Sequence, residues 1–562
     1  MDNQKLNERF GWRARYASGG DVGVQKKIIH ARELLVLARK AALAARPLEL
    51  SSIKRVRFCL GLLDGSPKME LFAEVADRLS KLGVDQKHYW VGTFYTLLLP
   101  PAVRRAQAAY FTPPNLSKAL IRLVRNEGFD PLRHTAIDPA AGGAAFLSTL
   151  AGEMRELGAS PKDILGRLHG IEIDRGLARL SEALIADRID SSIPSGSVVE
   201  VRDALKAQHD QTYNLVIANP PYGRISADEL RGKAWRDVCH SGHINKYALF
   251  AERCFRLAKP GGLVALVLPS SFIAGPLYGK LRAYMREKGE ILTLGSVTTR
   301  KDVFVDVTQD VSIVVARAGS AHRADHAVSF GNVASFGPFK PTFATALPLK
   351  SEDAWMSAGK QPGAAVGGAT LVDYAATLRV GYFVWNRELE RMSKRRAAKL
   401  DMPLIWARNI RPGKFCFPKA KIGKGIDFVR FEEDSVAIVR ANAIVLQRTT
   451  NSAQSRRLIA ARVSPSVIQK WGGFVTENHT LVLTAPDVAT LNTLCFLLNS
   501  AAVDKRYRQL SGTASISANL LRALDLPAPK ALAEALHALG LCEEAVECAY
   551  AAGTTARAKL TA

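Results

Sequence analysis

The sequence predicts an α/β protein built on an open, mostly parallel sheet, with helices before it and a mixed α+β region after it. The main observation is a series of short apolar runs, the earlier of them separated by segments long enough for helices: 135–137, 168–173, 198–201, 214–218, 263–268 and 311–316. Such alternation is typical of βαβ units. Residues 31–45 are rich in Ala, Leu, Arg and Lys, which are strong helix formers, so residues 1–100 are expected to be helical.

A stretch rich in proline and glycine divides the chain. Gly337-Pro338, Pro362-Gly363 and Gly367-Gly368 are dipeptides that favour turns and loops. We therefore expect four parts: an N-terminal helical region (1–100), a central α/β domain (101–335), a linker (336–370) and a domain of short strands and helices (371–562).

The charge balance indicates a polyanionic partner. Lys and Arg number 77 against 52 Asp and Glu, which gives a net charge of +25. The hydrophobic fraction of 48% and the charged fraction of 23% are ordinary globular values, and they exclude a disordered or collagen-like chain. This strongly basic balance ranks nucleic acid ahead of a membrane surface as the partner. No apolar run reaches the ~18 residues of a membrane-spanning helix.

Cysteine usage and the start of the chain predict a cytoplasmic protein without a metal site. The 7 cysteines are odd in number and form no CxxC pair, so neither a disulfide framework nor a zinc site is expected. The polar first residues lack the apolar stretch of a secretory signal.

The ends of the predicted strands carry polar residues, and ligands bind at the carboxyl ends of parallel strands. Asp138 follows the first run, and Gly142 and Gly143 then precede a helix start, which is typical of a nucleotide-binding loop. Glu172 ends the second run, where a carboxylate can accept both ribose hydroxyl protons. Asp203 follows the third run and either accepts a proton from a purine amine or caps a helix.

The strongest pattern is Asn219-Pro220-Pro221-Tyr222, which comes directly after the fourth apolar run. The fixed φ of proline allows the Asn219 side-chain oxygen and the Pro220 carbonyl to present two rigid acceptors side by side. A planar NH₂ group offers two donors that match them, and Tyr222 offers a ring on which a base can stack. A proline-stiffened turn with a capping Asn is the structural alternative.

These residues resemble the motifs of a known enzyme family. The Asn219–Tyr222 segment is similar to the [DNS]-PP-[YFW] motif of amino-methyltransferases that use S-adenosylmethionine, and residues 138–147 resemble their first motif, commonly written DPACGSGAFL. Residues 110–113 resemble the motif that opens the gamma-class DNA methyltransferases. The motif order is also that of the gamma class, so the chain resembles TaqI-like adenine-N6 DNA methyltransferases of restriction–modification systems.

The resemblance implies a Rossmann-like S-adenosylmethionine-dependent methyltransferase domain with a C-terminal target-recognition domain. It implies methyl transfer from S-adenosyl-L-methionine to the N6 amine of an adenine flipped out of double-stranded DNA. The DNA would lie in the nucleoid of a bacterial or archaeal cell, and any cognate restriction endonuclease would be a separate polypeptide.

The resemblance also assigns roles to residues at the strand ends. Asn219, Pro220 and Tyr222 would be catalytic, and Tyr222 and Phe304 would stack on the target base. The cofactor would be held by residues from five motifs: Thr112, Asp138, Ala140, Gly142, Glu172, Asp203 and Phe250. The first motif departs from the common pattern at Ala141, Gly143 and Ala144, and an Arg at position 202 precedes Asp203.

Basic and amide side chains after residue 371 are the candidates for holding DNA. Positive charge binds phosphates, Gln and Asn pair with adenine edges, and Arg pairs with guanine edges. The candidate residues lie in two clusters: Arg395, Arg396, Lys399, Arg408 and Arg411, then Gln447, Arg448 and Asn451.

Three other functions share parts of this pattern. A protein glutamine methyltransferase uses the same Asn-Pro-Pro-Tyr chemistry on an amide, and an RNA methyltransferase would also need positive charge. A non-catalytic DNA-binding subunit with a decayed methyltransferase domain is the third.

Overall fold

The structure is a computed structural model, and it describes most of the chain. The described residues are 22–45, 51–67, 70–100, 111–194, 196–206, 210–230, 232, 234–297, 311–333, 338–348, 355, 368–394, 396, 398–417, 427–449, 456–510, 516–522 and 524–560. The chain forms two compact units, Met1–Gly359 and Lys360–Ala562.

A sheet of nine strands forms the centre of the first unit. Its strands are β1 (Ala136–Asp138), β2 (Leu168–Glu172), β3 (Val199–Val201), β4 (Tyr213–Ala218), β5 (Ala258–Pro269), β6 (Gly289–Val297), β7 (Val311–Ala318), β8 (Ala327–Val333) and β9 (Phe339–Ala346). Their order is β3-β2-β1-β4-β5-β7-β6-β8-β9. The first five pair in parallel, β7 is antiparallel to both β5 and β6, β8 is parallel to β6, and β9 is antiparallel to β8. The predicted Rossmann-like α/β fold is confirmed, with a strand at each of the six apolar runs.

Strands β6, β8 and β9 were not predicted. Strand β6 contains Gly289 and Gly295, and glycine weakens a strand pattern. Strand β9 corrects the predicted linker of 336–370, because residues 339–346 form the outermost strand of the sheet. Pro341 lies within this strand, and an edge strand tolerates proline because its outer N–H side needs no partner.

Helices surround this sheet. They are α1 (Val22–Ala45), α2 (Ser52–Leu63), α3 (Glu70–Ser80), α4 (Val84–Leu98), α5 (Pro114–Asn126), α6 (Ala145–Glu156), α7 (Pro161–Arg167), α8 (Arg175–Ile189), α9 (Lys246–Leu257), α10 (Ser271–Ala274) and α11 (Gly279–Lys288). Helices α1 to α4 share one hydrophobic core with Leu177, Leu180 and Leu184 of α8. The N-terminal helices are therefore part of the same compact unit as the sheet.

The second unit combines two four-stranded sheets with helices. Its strands are β10 (Gly368–Ala369), β11 (Thr377–Val380), β12 (Met392–Ser393), β13 (Asp401–Ile405), β14 (Ile410–Arg411), β15 (Lys414–Phe415), β16 (Phe428–Arg430), β17 (Ala443–Gln447), β18 (Ala460–Arg462), β19 (Val475–Thr476), β20 (Thr480–Thr484) and β21 (Leu526–Pro527). Its helices are α12 (Pro465–Trp471), α13 (Val488–Leu498), α14 (Ala501–Leu510), α15 (Ala518–Arg522), α16 (Pro529–Leu539) and α17 (Glu543–Leu560).

The two larger sheets have the orders β11-β20-β17-β18 and β12-β16-β13-β19, and β14 and β15 form a hairpin. Leucines of α13 pack on the first sheet in a large buried cluster. Across the described parts of both units, no helix combines the length and the apolar character needed to cross a membrane.

Candidate active site at the carboxyl edge of the sheet

Strands β1 to β5 run parallel, so their carboxyl ends meet at one edge of the sheet. Asp138 is the last residue of β1, Glu172 is the last of β2, and Asn219 directly follows β4. The fold thus brings to one edge three residues that the sequence predicted as a site.

The loop after β1 makes a tight turn that hydrogen bonds from its own N–H groups hold in place. The Asp138 carboxyl group is buried and accepts a hydrogen bond from the Ala140 N–H at 2.9 Å. Gly142 has φ +52°, a left-handed conformation that glycine adopts at little cost, and α6 begins at residue 145. The Gly142 N–H donates to Glu172 Oε2 at 2.9 Å, which ties the loop to the second strand.

Glu172 is held from both sides by backbone groups. Its Oε1 accepts from the Asp174 N–H at 2.9 Å, and its Oε2 accepts from Gly142. A carboxylate has about four lone-pair sites, so each oxygen can accept a further bond from a ligand hydroxyl. Asp174 also accepts from Leu177 N–H, as the N-cap of α8, and from the Tyr95 hydroxyl at 2.8 Å.

Burial makes the carboxyl groups of this loop weak acids. It raises the pKa of Asp138 to about 8, with a further contribution from the negative charge of Glu172. Burial also raises the pKa of Glu172 above its usual range. A cation placed here would favour the charged form of Asp138, so the loop suits a ligand that carries positive charge.

Phe111 anchors the segment that leads into the site, a role that the sequence did not predict. Its ring lies against Gly143 and Gly92, and a Cβ built on Gly143 would overlap Phe111 Cε1. Only glycine therefore fits at position 143 with the ring in this place. This contact explains why the loop departs from the common motif there.

The Asn219 amide lies between two hydroxyl groups. Its Nδ2 donates to Thr112 Oγ1 at 3.1 Å, and its Oδ1 accepts from the Tyr222 hydroxyl at 2.8 Å. Thr112 is buried, with 4% of its surface exposed. Thr112 was predicted beside the cofactor, and in the structure it contacts Asn219 of the Asn-Pro-Pro-Tyr motif.

The Tyr222 side chain is packed in place, and its hydroxyl is already hydrogen-bonded. Its ring packs against the core of the sheet and meets Tyr247 edge-on, with centroids 6.4 Å apart. Its hydroxyl donates to Asn219 Oδ1 and lies 3.3 Å from the Val267 carbonyl oxygen. Burial raises the pKa of Tyr222, so the group stays a neutral donor. The hydroxyl therefore uses the acceptor that the sequence assigned to a target amine.

Asp203 follows β3 at the same edge of the sheet, and its hydrogen-bond and ion-pair partners are near it in sequence. Asp203 Oδ1 accepts from the Leu205 N–H at 3.1 Å, and its Oδ2 pairs with Lys206 at 3.0 Å. The contact with Leu205 N–H lies at the start of the short 3-10 helix Ala204–Lys206, which directly follows Asp203. Phe250 is half-buried on α9.

A small open depression lies beside the loop. Its lining joins Thr112 and Gly143 with His88 and Arg188, side chains of α4 and α8. His88 contacts Ser148 Oγ at 2.9 Å and Asp187 Oδ2 at 2.8 Å. No sequence signal marked these groups, because they lie far apart along the chain.

The predicted DNA contacts of the second unit fall into two groups. Lys399 and Arg411 are exposed, and Arg411 pairs with Lys414 across the β14–β15 hairpin. Arg396 is exposed, donates to the carbonyls of residues 398 and 399, and lies 5.0 Å from the Trp471 ring centroid. These side chains lie where a phosphate can reach them.

The structure corrects the prediction that Gln447 contacts DNA. It is buried, and its Nε2 donates to the carbonyl oxygens of Ala407 at 3.1 Å and Ile410 at 2.8 Å, so it is not available to a base edge. Arg408 and Arg448 are half-buried and also engaged: Arg408 pairs with Asp427 at 3.3 Å, and Arg448 Nη1 donates to a carbonyl at 3.1 Å. Phe304, Arg395 and Asn451 lie outside the described residues.

Part of the chain is similar to a known protein family. Residues 178–304 match the family described as Eco57I restriction-modification methylase. The chain is 25% identical over 343 residues to Type II methyltransferase M.PstI of Providencia stuartii, which covers 58% of this chain and 67% of that protein. It is 22% identical over 458 residues to Type II methyltransferase M.BsuBI of Bacillus subtilis, with 74% and 87% covered.

A shorter match is to a relative that is named as a tRNA methyltransferase. Over 112 residues the chain is 30% identical to a tRNA1(Val) (adenine(37)-N6)-methyltransferase of Aeromonas hydrophila, which covers 20% of this chain and 44% of that protein. The matched family and the Type II relatives confirm the resemblance to restriction–modification methyltransferases that the motifs predicted, and residues 178–304 carry the similarity to the Eco57I restriction-modification methylase family.

Proposed function

We propose that the protein is a site-specific DNA methyltransferase that methylates the N6 amine of a flipped-out adenine in duplex DNA. It would act as the modification component of a restriction–modification system in the cytoplasm, beside a separate endonuclease of the same specificity. The observation that carries the proposal is the Asn219 amide, fixed at the end of β4 beside the loop formed by Asp138, Gly142 and Glu172.

The cofactor is S-adenosyl-L-methionine, and the loop fits it. Glu172 offers two carboxylate oxygens with spare lone pairs for the ribose hydroxyls, and buried Asp138 suits a neighbouring positive charge. When bound, S-adenosyl-L-methionine supplies an electrophilic methyl group on a charged sulfur. The chain itself has to hold and orient the amine that accepts this methyl group.

Asn219 and Pro220 hold the target amine. Asn219 Oδ1 and the Pro220 carbonyl oxygen accept its two hydrogens, which directs the nitrogen lone pair out of conjugation with the ring. As the nitrogen becomes positively charged, these two oxygens stabilise the charge, and the face of Tyr222 adds cation–π attraction. No strong base is needed before the transfer.

A base inside a duplex is out of reach of this site. The adenine has to be flipped out at a cost of a few kcal/mol, which stacking on Tyr222 offsets in part. Phosphate contacts supply the rest, and exposed Lys399, Arg411 and Arg396 are our candidates for them. Phe304 remains our candidate for the second stacking ring.

The choice of adenine-N6 over other amines rests on the Asn-Pro-Pro-Tyr motif and on the tRNA adenine-N6 methyltransferase relative. That relative also favours RNA as a second candidate substrate. The +25 net charge argues against a glutamine side chain as the acceptor, because either nucleic acid is a polyanion. The intact Asn219 and Glu172 argue against a decayed, non-catalytic subunit.

A transfer assay with labelled S-adenosyl-L-methionine tests the proposal. Duplex DNA, total RNA and a release factor are offered in parallel to wild-type protein and to Asn219→Ala. We expect label in DNA with the wild type and none with Asn219→Ala, while cofactor affinity changes less than about threefold. Label in RNA or in the release factor, with none in DNA, would contradict the proposal.

A further inference from the structure

We infer that Thr112 is a positioning residue for methyl transfer: its hydroxyl holds the Asn219 amide so that Oδ1 faces the target amine. The inference rests on the proposed function. It assigns to Thr112 a contact with the catalytic motif, in place of the contact with the cofactor that the resemblance implies.

The contacts form a chain across the site. Thr112 Oγ1 accepts from Asn219 Nδ2 at 3.1 Å, and Asn219 Oδ1 accepts from the Tyr222 hydroxyl at 2.8 Å. The nitrogen end of the amide is thus bonded to Thr112, and the oxygen end is presented on the side of Tyr222. The Tyr222 hydroxyl is a donor, as an N–H of the target amine is, so it marks the direction from which the amine donates.

The orientation of this amide decides whether the site can work. An amide offers an acceptor at one end and two donors at the other. Rotated by half a turn, Asn219 would present its N–H groups to the N–H groups of the target, and the amine would lose one of its two acceptors. The Thr112 hydroxyl accepts from the nitrogen end, and this hydrogen bond has to break before the amide can turn, so it holds the acceptor in place.

Thr112 is itself held firmly. The Phe111 ring lies against Gly143 and Gly92, so the residue before Thr112 is packed between α4 and the loop after β1. Pro113, with φ −63°, follows Thr112 and caps α5, and a residue before proline is restricted to extended conformations. The Thr112 hydroxyl thus has a fixed place relative to the end of β4.

Two substitutions separate this role from cofactor binding. Thr112→Val keeps the shape and removes the hydroxyl, and Thr112→Ser keeps the hydroxyl. At saturating DNA and cofactor, we expect Thr112→Val to slow single-turnover methyl transfer by about tenfold, the order expected when one hydrogen bond is removed. We expect Thr112→Ser to restore most of the rate. The affinity for S-adenosylhomocysteine, measured by calorimetry, should stay within about twofold of wild type in both variants.

Other outcomes would overturn the inference. If Thr112→Val weakened S-adenosylhomocysteine binding and reached the wild-type rate at saturation, Thr112 would belong to the cofactor site. Equal rates for all three proteins would show that the hydroxyl has no part in the reaction. Wild-type transfer to RNA instead of DNA would contradict the proposed function alone, and the same variants compared on RNA would then decide the role of Thr112.

Discussion

The Tyr222 hydroxyl donates a 2.8 Å hydrogen bond to Asn219 Oδ1, the oxygen that the proposed reaction needs for the target amine. This oxygen has two lone pairs, and the hydroxyl occupies one of the two that the incoming amine could use. Tyr222 has two separable parts in our account: a ring that stacks and a hydroxyl that competes.

Tyr222→Phe and Tyr222→Ala test these two parts. We expect Tyr222→Phe to bind the flipped base at least as well as wild type, because it keeps the ring and frees Asn219 Oδ1. Tyr222→Ala loses the stacking, worth about 1–3 kcal/mol per base. Fluorescence of 2-aminopurine at the target position measures flipping. Equal flipping defects in both variants would show that the hydroxyl supports the bound state.

Gly143→Ala tests the contact with Phe111. The new Cβ would overlap the ring, so the ring and the neighbouring Thr112 have to move. We expect a loss of about 1–3 kcal/mol in the free energy of unfolding, measured with denaturant, and slower transfer. Gly166→Ala is the matched control, because that residue lies in α7 with no atom within 4 Å of the new Cβ. Equal stability of the two variants would show that the Phe111 ring does not pack against Gly143.

The buried carboxyl group of Asp138 predicts a pH dependence of stability. Its pKa is about 8 in the folded protein and about 4 in an unfolded chain. Between these values the folded state holds a proton that the unfolded state has lost, so the free energy of unfolding falls as pH rises. Asp138→Asn, which keeps an acceptor for the Ala140 N–H, should flatten this fall between pH 5 and 8. An unchanged pH profile would mean that Asp138 ionises normally.

The salt dependence of DNA binding tests the basic surface of the second unit. Joint replacement of exposed Lys399 and Arg411 by Ala should make the slope of log K against log salt shallower by about 0.9 for each phosphate that is no longer neutralised. Lys162→Ala, at an exposed site on α7 in the first unit, removes one positive charge as a control and should leave the slope unchanged. A slope that responds only to Lys162→Ala would move the DNA-binding surface to the first unit.

Local pattern predicted the sheet and its ligand edge well. The six apolar runs are strands, and a parallel sheet necessarily brings Asp138, Glu172 and Asn219 to one edge. The contact between Thr112 and Asn219 joins residues 107 positions apart, so no local pattern encodes it. The packing of Phe111 on Gly143 escaped prediction for the same reason.

Gln447 shows a different limit. Its neighbours in sequence suggested a polar, base-reading surface, but all five residues of β17 are buried. Sequence periodicity identifies a strand by its alternating faces, and a strand covered on both sides has no such signal. The Gln447 amide is therefore a structural donor to two backbone carbonyls, which only the three-dimensional fold reveals.

The most direct test of the central claim is mass spectrometry of nucleosides from plasmid DNA propagated with the protein. Wild-type protein and Asn219→Ala are compared in cells that lack other methyltransferases. We expect N6-methyladenine in DNA with the wild type and none with Asn219→Ala. N4-methylcytosine as the product, or N6-methyladenine at equal levels with both proteins, would contradict this expectation.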